Sequence, residues 1–221
     1  MTPPEQPPKP RWPALALAAA LCLTSLTSLT GLTGSASAGG APVVASGRVA
    51  ADDVLQPGPY HRLLDPLEGT WQATKTNYIL GENGRPVVSR DIVVKTRWLD
   101  RTGGRYLQET TQGTLGGRPY HRLGVLGFSN IDRRYEWTTF DNVTPQAMTY
   151  RGGPVEGRPT VLSIPGEFTD PGILGHAGRS IPMRTVITID PEGHHTFELY
   201  FTPPGEEERL VDKVAYTRRL H

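Results

Sequence analysis

From residue 70 to residue 219 the chain is a succession of short segments whose side chains alternate in character with a period of two. That period belongs to β-strands, in which neighbouring side chains point to opposite faces. The segments cover 70–79, 88–99, 105–112, 120–128, 134–140, 147–151, 160–168, 179–189, 195–201 and 209–219. Turn sequences such as Gly81-Glu82-Asn83-Gly84, Gly103-Gly104 and Gly116-Gly117 separate them. Ten strands in simple succession predict an all-β fold, a single antiparallel up-and-down β-barrel that closes and so removes its own edges. A two-layer β-sandwich is the alternative that the same pattern permits. An apolar fraction of 37%, with 25 Gly and 21 Pro, suits short strands and many turns better than a helical bundle. One helical turn is expected over 60–65, stopped by Pro66.

The first 38 residues read differently. Lys9 and Arg11 precede an apolar stretch from Trp12 to Leu23, Ser/Thr/Leu repeats follow, and Ala36-Ser37-Ala38 ends the run. This is the pattern of a secretory signal peptide, cleaved after Ala38, and it predicts a chain exported to the periplasm or secreted. An uncleaved N-terminal membrane anchor is the competing reading, opposed by the shortness of the apolar stretch. A lipid anchor on Cys22 is disfavoured because Leu21 stands where a small residue is needed. Residues 39–59, rich in Gly, Ala, Pro and Val without periodicity, read as a flexible linker, and 60–221 as the β-barrel domain.

Charge and cysteine narrow the function. Without the leader's Lys9, Arg11 and Glu5 the domain is formally neutral, and its longest run of like charge is Glu206-Glu207-Glu208. A phosphate-binding face needs concentrated basic residues, so no nucleic acid is expected as partner and no strong membrane-surface binding after cleavage. The single cysteine lies in the leader, which excludes disulfides and thiolate chemistry from the domain. A monomer or weak dimer is expected.

Leu67-Glu68-Gly69-Thr70-Trp71 marks the point where irregular sequence gives way to strands. Gly69 gives the backbone room to turn, and Trp71 sets a large ring on the inner face just after it. Further motifs are Leu64-Asp65-Pro66-Leu67, Gly103-Gly104-Arg105-Tyr106-Leu107, Leu126-Gly127-Phe128-Ser129-Asn130, Asp141, Gly166-Glu167-Phe168-x-Asp170-Pro171, Arg184, Glu198-Leu199-Tyr200 and Tyr216-Thr217-Arg218. In order and spacing these resemble a bacterial family, the domain of unknown function 1579, from about His61 to Arg219. One departure is Thr139, where family members often carry a tryptophan two residues before the aspartate. The resemblance extends more distantly to lipocalin and fatty-acid-binding-like (calycin) barrels. It implies that Gly69 and Trp71 open the first strand, with Arg218 near the end of the last strand covering the tryptophan to close one barrel end.

Few residues suggest catalysis. There is no Gly-x-Ser-x-Gly elbow, phosphate-cradling glycine loop or His-Glu-x-x-His helix. His194 and His195 are adjacent, so their rings diverge from a strand, while His61, His121 and His176 fit no ligand spacing. No cofactor or metal is expected and no catalytic residue is assigned. Charged residues inside strands are more informative: Asp141 shares parity with Tyr135 and Trp137, Arg184 with Val186 and Thr188, and Glu198 with Tyr200. Pointed inward, they form a candidate ligand cavity of Asp141, Arg184, Glu198 and Tyr200 walled by Trp98 and Trp137; pointed outward, they form solvated pairs. The loop 172–178 is a candidate lid or a plain surface loop. The leading expectation is an exported barrel holding a small apolar or amphipathic molecule. The alternatives are a haem-binding barrel using His121 or His195, an enzyme working through Asp141 or Glu198, and a solid interaction module of the cell envelope.

Overall fold

The structure, a computed structural model, describes residues 54–190 and 192–219. The expected signal peptide, and residues 39–53 of the expected linker, lie outside the described residues. A short helix α1 (Pro59–Arg62) and a 3-10 turn (Asp65–Leu67) lead into ten strands. These are β1 (Gly69–Asn77), β2 (Val87–Trp98), β3 (Tyr106–Leu115), β4 (Arg118–Ser129), β5 (Arg134–Asp141), β6 (Met148–Val155), β7 (Arg158–Thr169), β8 (Ser180–Asp190), β9 (His194–Phe201) and β10 (Arg209–Arg218). Each strand pairs antiparallel with its neighbours in sequence, and β10 returns to pair with β1, so the sheet is a closed barrel. That closure decides against the sandwich.

The turns follow from their residues. Gly116 and Gly117, at φ 58° and 76°, both occupy the left-handed region that a two-residue hairpin requires, so β3 and β4 run to Leu115 and Arg118 with no longer loop. Side-chain alternation then sets the two faces. On β1 the inward set is Trp71, Ala73, Lys75 and Asn77; on β9 it includes Phe197, Leu199 and Phe201. Register shifts between Ala73 and Lys75, and between Leu210 and Asp212, leave the faces of β1 and β9 unchanged but move the inward set by one residue on β2, from Ser89 to Ile92, and on β10, where Val211 and Asp212 are both buried.

The two ends differ. At the end where β1 begins and β10 finishes, the segment 59–68 lies across the barrel as a cap. Leu64 and Leu67 are buried in it, the Tyr60 ring stacks on Phe128 at 4.5 Å, and the Tyr135 hydroxyl donates to the Tyr60 carbonyl at 2.8 Å. Asn130 Nδ2 donates to the carbonyls of Val54 and Gln56, so the last residues of the expected linker are tied to the barrel. At the other end, the mouth, gather the connections 78–86, 116–117, 142–147, 170–179 and 202–208.

Candidate functional site

The base is built around Trp71. Its indole Nε1 donates to the Leu67 carbonyl at 3.0 Å, and the Arg218 guanidinium lies 4.2 Å from its ring. Nη1 and Nη2 of Arg218 each reach a carbonyl of the cap, Glu68 and Pro66, at 2.7 Å. Gly69, at φ 138°, passes so close to that guanidinium that any β-carbon would collide with it. The His195 ring stacks on Tyr216 at 4.0 Å and meets Trp71 edge-on at 4.3 Å. Burial first, and Arg218 second, lower its pKa to about 3, so it is a neutral packing ring. Only about 30 Å³ remains open between Trp137, Ile187, His195 and Tyr216, near the share of a single water.

Above this filled base runs a belt of buried charge. Arg122, inward on β4, donates from Nε and Nη2 to Glu109 Oε1 on β3, at 3.0 and 2.6 Å. Its guanidinium also lies 5.6 Å from the Trp137 ring and 5.5 Å from Phe197. Burial alone would lower its pKa, but the Glu109 carboxylate beside it, together with the Tyr120 and Tyr216 phenols, outweighs this and holds it raised. Lys75 of β1 pairs with Asp212 of β10, both side chains being almost wholly buried. Lys75 lies 5.3 Å from the Tyr120 ring. Asp212 Oδ1 has no hydrogen-bond partner.

Lys75, Arg122 and Asp212 of the belt form the floor of a cavity of about 110 Å³ that opens at the mouth, with Glu109 below them on the base side. Met148, Tyr150, Phe168, Leu199 and Phe201 supply its apolar wall, while Leu80, Val143 and Ile173 stand half-exposed at its rim. Burial pushes the Tyr150 phenol well above its ordinary pKa, so it is neutral. Ile173 and Pro171 belong to the loop 170–179, which is wound around one carboxylate. Asp170 is buried and accepts from the backbone N–H groups of Gly172, Leu174 and His176. Burial would raise its pKa, but these donors together outweigh it and lower it. A broader depression of about 560 Å³ on the side of β2 to β5 is open to solvent, with Leu123 and Phe140 half-exposed beside it.

The six residues expected to share a cavity do not do so, and the three that meet, Arg184, Glu198 and Tyr200, meet outside the barrel. Arg184, Glu198 and Tyr200 are on the outer face of β8 and β9, which corrects their inward placement. Their strand partners Met183, Thr185, Leu199 and Phe201 make the more apolar face, and that face turned in. Outside, Arg184 donates to Glu208 and lies 4.5 Å from the Tyr200 ring, while Glu198 accepts from Tyr200 and Lys213. Trp98 is also corrected as a companion of Trp137: it ends β2 at the base, and Trp137 lies at mid-lumen, stacked on Tyr150 at 5.1 Å. Asp141 alone of the six lines the mouth cavity, where its Oδ1 accepts from the N–H groups of Val143 and Thr144. Of the histidines considered for haem, His121 is exposed on the outer side and His195 is packed in the base. Among the described residues, no group of three or more His, Cys, Asp or Glu is placed to hold a metal ion.

Lys75, Glu109, Arg122 and Asp212 were not singled out from the sequence. A signal existed: Lys75 shares parity with Trp71, and Asp212 with Tyr216.

The sequence profile of the family described as "Protein of unknown function (DUF1579)" matches residues 56–218. The chain belongs to this family. No curated protein matches it. The DUF1579 chain is similar to solved β-barrels including a redesigned beta barrel, b11L5F_LGL, at 16% identity over 72% of this chain and 96% of that one, with a TM-score of 0.36. Another is EF1p2_mFAP2b bound to DFHBI, at 16% identity over 72% and 99%, with a TM-score of 0.34. At these values neither likeness bears on the function of the DUF1579 chain.

Proposed function

We propose that the protein binds a small amphipathic molecule by one end, in the mouth of the barrel, as an exported carrier or sensor. The observation that carries this is the contrast between the two ends: the base is packed solid, while the mouth keeps an apolar-walled cavity with a polar floor. Native interiors leave few voids of this size. At about 110 Å³ the cavity is smaller than the ~150 Å³ space that admits benzene, and far below pockets that engulf a drug-sized ligand. The ligand therefore inserts its leading atoms, and the rest leaves past Leu80, Val143 and Ile173. The leader supports the exported setting.

Native mass spectrometry of protein purified from its own host, with solvent extraction, tests the reading. A bound small molecule that is lost in Leu199→Phe, where a ring fills the cavity wall, is the expected result. A clean apo mass favours a second reading, a solid envelope module, which the filled lower lumen supports.

A further inference from the structure

Given that binding role, we propose that the ligand enters with a neutral hydroxyl foremost, donating to Asp212, and that the site discriminates against carboxylates. Asp212 lines the cavity floor with one oxygen engaged by Lys75 and the other, Oδ1, accepting nothing. A buried acceptor left unmet is costly, and a donor brought in by a ligand recovers that loss. The same floor offers little to an anion. Its two cations are each held against a carboxylate, Lys75 on Asp212 and Arg122 on Glu109. At the rim, Asp141 stands opposite Arg122 in the β4–β5 register, so that guanidinium already faces two carboxylates, Glu109 and Asp141. An incoming carboxylate would be a further anion among Asp212, Glu109 and Asp141 in a poorly solvated space, with no free counter-charge. A hydroxyl needs only the acceptor. The apolar wall of Met148, Tyr150, Phe168 and Leu199 suits the carbon atoms that follow it.

Titration calorimetry at pH 7 with 1-octanol, octanoate and octylammonium provides the test, on the wild type and on the double variant Lys75→Met/Asp212→Leu. Removing both charges together avoids stranding either one, and Asp212→Asn, which keeps the shape, serves as a second variant. Octanol is expected to bind at least tenfold tighter than octanoate, and to lose tenfold or more in the double variant. Asp212→Asn leaves Lys75 without its counter-charge, so it is expected to lower the unfolding midpoint while still folding, and to weaken octanol in the folded protein. Octanoate binding as tightly as octanol overturns the proposal, as does octanol binding unchanged in both variants. Octylammonium binding tightest overturns the neutral hydroxyl in favour of a cation. In those three cases the mouth cavity remains a binding site; if none of the three probes binds, the binding role falls and this assignment falls with it.

Discussion

Arg218 joins the barrel to its cap with one guanidinium. Its two terminal nitrogens reach the carbonyls of Pro66 and Glu68 while its plane covers Trp71. Arg218→Met removes both hydrogen bonds and the cation, and is expected to destabilise the fold by about 2–4 kcal/mol. Arg218→Lys keeps a charge but not the fork, and recovers only part of that loss in urea unfolding. His195, beside it, carries a pH dependence. Its folded pKa lies at about 3 against about 6.5 when unfolded, so between those values the unfolded chain binds more protons. Stability attributable to His195 therefore falls as pH drops below about 6.5, by about 2 kcal/mol at pH 5. Unfolding curves at pH 7.5 and 5 are expected to show that loss in the wild type and a smaller one in His195→Phe. The depressed carboxylates Asp170, Glu198 and Glu208 act in a lower window, below their unfolded values near 4, whereas His61, its pKa also lowered by burial, adds a loss of the same sign that remains in His195→Phe. Gly69 and Trp71 were legible as a turn into the first strand, and the placing of Arg218 over Trp71 came from the resemblance to lipocalin-like barrels. Lys75 and Asp212 were not, because a charge within a strand ordinarily marks the solvent face, and only its partner on the strand that closes the barrel shows otherwise.

At the scale of elements, all ten strands could be read from the sequence, since period-two alternation and glycine turns are local properties of the backbone. Which face of a strand turns inward is not local. On β8 the set Ile181, Met183, Thr185, Ile187, Ile189 competes with Arg184, Val186, Thr188, and the choice follows from comparing both sets rather than tracking the charged one. The cap was legible only as a helical turn over 60–65, which in fact ends at Arg62 with Pro66 inside the following 3-10 turn, and its contacts to Arg218 and Tyr135 cross more than 70 residues of sequence. The loop 172–178 is weighed from the sequence only as a lid or a surface loop; the structure supplies the reason for the shape of the whole connection 170–179. It holds no regular hydrogen-bond ladder of its own and is organised by the Asp170 carboxylate. Asp170→Asn is therefore expected to raise amide exchange across 170–179 at pH 7 and cost about 1–3 kcal/mol, while exchange in β1 and β10 follows global stability alone. In the wild type the stability contributed by Asp170 is present above its unfolded pKa near 3.9 and lost as pH falls through its lower folded value. The loop should thus loosen in acid. Unchanged exchange in the variant would mean that Ile173 and Leu174 packing, and not the carboxylate, shapes the loop.

Across the whole molecule, a belt of two buried ion pairs divides a packed base from a hollow mouth, and the belt need not be there for stability. Taking a guanidinium and a carboxylate out of water costs as much as their attraction returns, or more. A barrel of the same shape with apolar residues at Glu109 and Arg122 would fold at least as well. The double variant Glu109→Leu/Arg122→Met is accordingly expected to lie within about 1 kcal/mol of the wild type, or above it, whereas Arg122→Met alone should cost about 3–5 kcal/mol by leaving Glu109 buried without its cation. A double-mutant cycle in urea measures both. If the double variant is as stable as the wild type yet no longer distinguishes octanol from octane, the pair belongs to recognition at the floor of the mouth. If the double variant instead loses the full cost of the single one, the pair holds β3 to β4, and the polar floor is a structural necessity that the binding site merely borders.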